Sequence, residues 1–221
     1  MNTFSHLKCG GVLVDMYSKC GRVMAARRIF DLTPEMNFIS WTAMIDGYGK
    51  NGIPDDALGL FHLMRCCNIK PNYTTFLSTL SVCGHAGLVS SGKEIFESME
   101  KDFGLKPKMK HYACMVDLLG RTGNLNEAYN FIQRIPEKPN SDVWVALLVA
   151  SRLHGDLQMT DIAAKKVFEL TGNERPGAYM ALSNTLAGAG KWDGMNEVRE
   201  LMKEKGVSKG AGRSWVGTEK G

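Results

Sequence analysis

Long apolar runs are missing: nowhere do 18 or more apolar residues stand together, so no membrane span is expected. The opening Met1-Asn2-Thr3-Phe4-Ser5-His6 has neither the apolar stretch of a secretory signal nor an Arg- and Ser-rich amphipathic pattern, so no targeting segment is expected in this chain. Strand-like alternation is lacking, and so is any low-complexity linker apart from the glycine- and lysine-rich end from Gly206 to Gly221. The six cysteines (Cys9, Cys20, Cys66, Cys67, Cys83 and Cys114) form no Cys-x-x-Cys, and none stands at a zinc-like spacing from a histidine pair. A disulfide framework is therefore not expected, and most of these thiols should fill the core as small apolar side chains. Gly87 to Lys93 matches Gly-x-x-x-x-Gly-Lys, but Glu94 follows where a phosphate loop needs Ser or Thr to hold magnesium. No cofactor is expected.

What the 221 residues do contain is a moderate supply of everything a soluble fold needs, 44% hydrophobic and 23% charged, with a net charge of +4. That balance permits an anionic partner without demanding one.

The dominant signal is an internal repeat. Gly21, Gly52, Gly87, Gly123, Gly155 and Gly190 follow one another at intervals of 31, 35, 36, 32 and 35 residues. Eleven residues before them stand Gly10, Trp41, Phe76, Tyr112, Trp144 and Tyr179, aromatic in five of six. Small residues recur five after the glycine (Ala26, Ala57, Gly92, Ala128), and Lys-Pro recurs at 70–71, 106–107 and 138–139. Each unit reads as two helices. Trp41, Met44, Ile45 and Tyr48 fall on one helical face. Gly52 supplies the turn, and Pro54 opens a second helix where its missing N–H costs nothing. Ala57, Leu58, Phe61 and Met64 form the apolar face of that second helix. A pair of such helices cannot bury its faces alone, but stacked neighbours can. The expected fold is all-α, a right-handed α-solenoid of stacked helix-turn-helix repeats.

The wording of the repeats carries a resemblance. Ser40-Trp41-Thr42-Ala43-Met44-Ile45 with Gly47-Tyr48, Cys83-Gly84-His85-Ala86-Gly87-Leu88-Val89 and His111 through Arg121 resemble plant pentatricopeptide-repeat proteins of the PLS class. By that resemblance residues 7–37 are a short motif, 38–72 a P motif, 73–108 a long motif and 109–140 a short motif. Asp142-Val143-Trp144-Val145-Ala146-Leu147-Leu148 resembles the first of two E motifs, at 141–177. Gly190-Lys191-Trp192 and Gly212-Arg213-Ser214-Trp215-Val216 resemble the second, at 178–217.

The resemblance implies sequence-specific binding of single-stranded RNA and a role in cytidine-to-uridine editing in a plant organelle, mitochondrion or chloroplast, with the mitochondrion favoured. None of His6, His62, His85, His111 and His154 is followed two residues on by Glu. The His-x-Glu and Cys-x-x-Cys set of a zinc deaminase is thus missing, so the chain is expected not to be an enzyme and to recruit a deaminase in trans. That editing partner, and other editing-complex proteins, would contact residues 141–217. There Val145 and Met180 put apolar side chains where a base reader would stand. The rival reading is a protein-binding helical scaffold, or an RNA splicing or stability factor with no editing role.

In the family the residue after the aromatic position, together with the last residue of the motif, reads one base per repeat. Those pairs are Gly11 with Asn37, Thr42 with Asn72, Leu77 with Lys108, and Ala113 with Asn140. Thr42 with Asn72 resembles an adenosine reader, and Ile39 and Thr74, the second residues of successive motifs, would sandwich the base. Ala113 with Asn140 offers a single amide, and Gly11 beside Asn37 has no side chain to read with. Lys8, Lys108 and Lys110 are candidates for phosphate contact. The alternative for Thr42 and Asn72 is simple capping of helix ends.

Overall fold

The computed structural model describes residues 3–33, 37–171, 176–188, 190–204 and 206. Among them are twelve helices and no strand. These are α1 (Thr3–Lys19), α2 (Val23–Leu32), α3 (Phe38–Lys50), α4 (Pro54–Cys66), α5 (Tyr73–Ala86), α6 (Val89–Lys101), α7 (Met109–Arg121), α8 (Leu125–Gln133), α9 (Ser141–Leu153), α10 (Leu157–Thr171), α11 (Pro176–Gly188) and α12 (Trp192–Glu204). The Gly-x-x-x-x-Gly-Lys segment spans the turn at Gly87 and Leu88 and the first residues of α6, from Val89 to Lys93. Most of the glycine-rich end, residues 207–221, lies outside the described residues, and the second E motif runs into it.

Local chemistry sets the boundaries. All six repeat glycines have positive φ, from 67° to 84°. They close each first helix in the left-handed conformation that other residues reach only at a cost. Pro54 occupies the first turn of α4. Asn37, Asn72 and Asn140 cap α3, α5 and α9, each with its side-chain oxygen accepting backbone N–H groups that the helix cannot satisfy itself.

Consecutive helices pair as hairpins. The odd-numbered helices stack on one another from α1 to α11, and the even-numbered helices α2 to α10 pack also against the hairpin that follows. This makes a two-layer α-solenoid. The aromatic column forms its spine: Trp41, Phe76, Trp144 and Tyr179 are buried. Trp41 meets Phe30 edge-on at 5.0 Å, and Phe76 meets Phe61 at 5.5 Å. Burying each such side chain contributes roughly 1.5–3 kcal/mol. The small column lets the layers close. Ala26, Ala57 and Ala128 are fully buried, and a Cβ on Gly92 would lie 2.3 Å from Leu118 Cδ2.

The cysteines correct the expectation of burial. Among the five cysteines whose side chains are described, Cys20, Cys66 and Cys67 are exposed, Cys114 is half-buried and Cys83 lies in the core, while the side chain of Cys9 lies outside the described residues. The apolar stripes already fill the core, so these positions are free to face water. No helix among the described residues is long and apolar enough to cross a membrane.

Candidate nucleic-acid interface

The first-helix layer carries a groove of about 480 Å³ between α1, α3 and α5. Thr42, Asn72, Ile39 and Thr74 all border it. Ile39 is 56% exposed at one side, and Thr74 is exposed at the other.

Thr42 and Asn72 are joined through a residue that sequence reasoning did not single out. Thr42 Oγ1 lies 2.7 Å from the Phe38 carbonyl and 2.7 Å from Thr75 Oγ1. Asn72 Oδ1 accepts from Thr75 N–H at 3.0 Å and lies 3.2 Å from Thr75 Oγ1, while Asn72 N–H donates to Thr75 Oγ1 at 3.3 Å. Asn72 is therefore an N-cap and a groove residue at once. Among the described residues its Nδ2 amide has no recorded partner, so two donors remain available.

Asp15, Asp46 and Ser78 also line this groove. Asp15 and Asp46 could have been found in the repeat. Six residues before successive glycines stand Asp15, Asp46, Ser81 and Asp117, each followed four residues on by Lys19, Lys50, His85 and Arg121. Three of these become ion pairs one helical turn apart, Asp15 with Lys19 at 2.7 Å, Asp46 with Lys50, and Asp117 with Arg121 at 2.7 Å. The hydrogen bond and charge of Asp15 hold the Lys19 ammonium above its ordinary value. Such exposed pairs add little stability.

A second groove, about 460 Å³, lies between α5, α7 and α9. Thr74 borders it as well, together with Leu77, Lys108, Lys110 and Asn140. Asn140 thus faces the groove of the preceding motif, and Ala113, half-buried on α7, does not line it. Asn37 borders neither groove. It caps α3, accepting from Ile39 N–H at 3.0 Å and Ser40 N–H at 3.3 Å.

A larger groove, about 680 Å³, opens at the far end of α4. There Arg65 is already paired with Asp102 at 2.8 Å and sits over the Phe103 ring at 5.2 Å. None of the sequence-selected residues borders it. Burial pushes the Cys83 and Cys114 thiols up to about 11, so neither is a thiolate near neutrality.

Models of the pentatricopeptide repeat match residues 11–38, 74–102 and 110–139, and a related repeat-family model matches 36–85. The E motif matches 154–217. A mitochondrial pentatricopeptide repeat-containing protein of Arabidopsis thaliana is 53% identical over 96% of this chain. The chain belongs to the pentatricopeptide-repeat family. Repeats followed by an E motif are consistent with the E subgroup of the PLS class.

This pentatricopeptide-repeat chain also matches a chloroplastic relative in the same plant, 46% identical over 92% of the chain. It spans 41% of the mitochondrial relative's length and 24% of the chloroplastic one's. Among solved structures, the maize pentatricopeptide repeat protein PPR10 superposes over 90% of this chain and 30% of its own, with a TM-score of 0.73 at 20% identity. The same protein in complex with an 18-nt psaJ RNA element matches over 92% of this chain and 29% of its own, with a TM-score of 0.61 at 18% identity. At that identity the likeness is one of fold.

Proposed function

We propose that this chain binds single-stranded RNA in a base-specific manner and acts as a specificity factor for cytidine-to-uridine editing in a plant organelle. The motif boundaries 7–37, 38–72, 73–108, 109–140, 141–177 and 178–217 belong to this reading. The observation that carries it is the groove that gathers Thr42, Asn72, Ile39 and Thr74, with donors and acceptors left over. Thr42 can donate its hydroxyl hydrogen to the Phe38 carbonyl 2.7 Å away and accept from Thr75 Oγ1 at 2.7 Å, which leaves its oxygen one further acceptor site in a residue that is 9% exposed. Asn72 spends its oxygen on the cap and keeps its Nδ2 hydrogens. One acceptor and one donor complement the Watson–Crick edge of adenine, which offers N6–H and N1. Ile39 and Thr74 would flank the ring.

The maize relative whose structure holds an RNA element supports RNA as the ligand, and the mitochondrial and chloroplastic relatives support an organelle. The chain itself performs no catalysis in this reading. A deaminase acts in trans, recruited through residues 141–217.

The test is binding of short single strands over a range of salt. Adenosine should be preferred by about 5- to 150-fold at the position aligned with residues 38–72, the scale of one good side-chain-to-base pair. That position lies two nucleotides 5′ of the base aligned with residues 109–140. Affinity should fall with salt, as phosphate contacts require. Absence of salt-dependent RNA binding overturns the reading in favour of a protein scaffold.

A further inference from the structure

The second groove repeats the layout of the first with different chemistry. Thr74 borders both, so whatever lies in one is the neighbour of whatever lies in the other. Leu77 stands where Thr42 stands in the first groove, ten residues before its glycine, and offers no hydrogen-bonding group. Lys108 replaces Asn72, and Lys110 replaces Thr74 as the distal flank.

The lysine at the closing position is held in place. Its Nζ lies 4.2 Å from the centre of the Tyr73 ring, a cation–π contact. Its backbone is fixed by buried His111, whose Nδ1 accepts from Lys108 N–H at 3.1 Å. With Nδ1 accepting, neutral His111 carries its hydrogen on Nε2 and donates it to the Tyr73 carbonyl at 2.9 Å. One side chain thus ties the start of α5 to the start of α7. The only carboxylate lining this groove is Asp142, against two ammonium groups. In the first groove the lining charges are Asp15 and Asp46, each already matched by its own lysine.

We propose that the second groove seats the nucleotide on the 3′ side of the adenosine, gripping its phosphate with Lys108 and Lys110 and leaving its base unread. The aliphatic stem of Lys110 and the methyl of Thr74 flank the base, and Leu77 gives its edge only an apolar contact. The site adds affinity without adding sequence choice. It rests on the RNA reading above and assigns a role to the long motif that the reading leaves open.

The test compares wild type with a Lys108→Gln/Lys110→Gln double variant of the full chain, using short single strands at several salt concentrations. Lys101→Gln, on the second-helix layer, controls for a lost charge. Each phosphate contact on a single strand contributes about 0.7 to the slope of log affinity against log salt, so the double variant, which frees one phosphate, should lose roughly 0.7. Its adenosine preference at the first groove should stay, and wild type should accept all four bases equally at the second. An unchanged slope, or a base preference at the second position, overturns the inference while leaving the adenosine reading intact. Wild type that binds no RNA at all overturns both.

Discussion

Helices α3 and α9 occupy the same place in their hairpins and face the same way, yet they present opposite chemistry. On α3 the column at four-residue spacing is Thr42, Asp46 and Lys50, polar throughout, buried at Thr42 and ending in an ion pair. On α9 it is Val145, Val149 and Leu153, and the last two are 47% and 66% exposed. A solenoid that needed only to fold would have no reason to put apolar side chains in water on one hairpin and a charge pair on another, because Asp46, Lys50, Val149 and Leu153 lie outside the core. The difference is therefore about what each face meets. A polar column suits a hydrated, charged strand, whereas an apolar one suits another protein.

The largest effect should come from making α9 resemble α3. Val149→Asp/Leu153→Asp places two carboxylates on the apolar column without touching the core. Binding to a deaminase-bearing editing protein, measured by titration calorimetry, should weaken by about 30-fold or more, the scale of losing one interface hot spot. RNA affinity should not change. If the variant binds its protein partner as wild type does, the apolar column is not the contact. If RNA affinity falls in step, the two faces are not separate.

A finer cut lies within α3's groove, where capping and reading meet in Asn72. Aspartate caps helices as well as asparagine does, so Asn72→Asp should keep the bond from Thr75 N–H and with it the stability of α5. It removes the Nδ2 donors. Adenosine preference should then be lost, a change of roughly 1–3 kcal/mol at one base, and the family resemblance implies a shift towards guanosine. Thermal melting checks the cap, and binding of strands differing at that base checks the reading. An unchanged melting temperature with equal weakening for all four bases would leave Asn72 as a cap alone.

Much of this was legible in the sequence because it is written six times. The glycine interval, the aromatic column and the small column each report one physical need, a left-handed turn, a spine and a close approach. Twelve helices followed from them. Thr42, Asn72, Ile39 and Thr74 came from the family resemblance, with the repeat register giving their numbers, and they border one groove. What was not legible depends on contacts between motifs. Thr75 bridges Thr42 to Asn72 across 33 positions, and His111 reaches Tyr73 across 38. No spacing rule announces either. The exposed cysteines were missed for a related reason: a small apolar residue fits a core, but only packing reveals that the core is already full.

The smallest effects test the junction between the two regions, where α7 stacks on α9. A Cβ on Gly120 would lie 2.4 Å from Ala150 Cβ, which is bonded directly to the backbone and cannot swing away. Gly120→Ala must therefore push the helices apart. Overpacking of this kind costs about 1–3 kcal/mol, against a helix-propensity gain of up to about 1 kcal/mol that is reduced so near the end of α7. The net should be a loss of roughly 1–2 kcal/mol in denaturant unfolding. Gly59 supplies the contrast. It sits exposed inside α4, and a Cβ there meets nothing within 4 Å. Only the propensity gain remains, so Gly59→Ala should stabilise by about 0.5–1 kcal/mol. The opposite signs for one substitution type at two helical glycines isolate close helix stacking from backbone entropy. Stabilisation by Gly120→Ala would mean that α7 and α9 can separate freely, and the reading and partner faces would then not be held in one rigid frame.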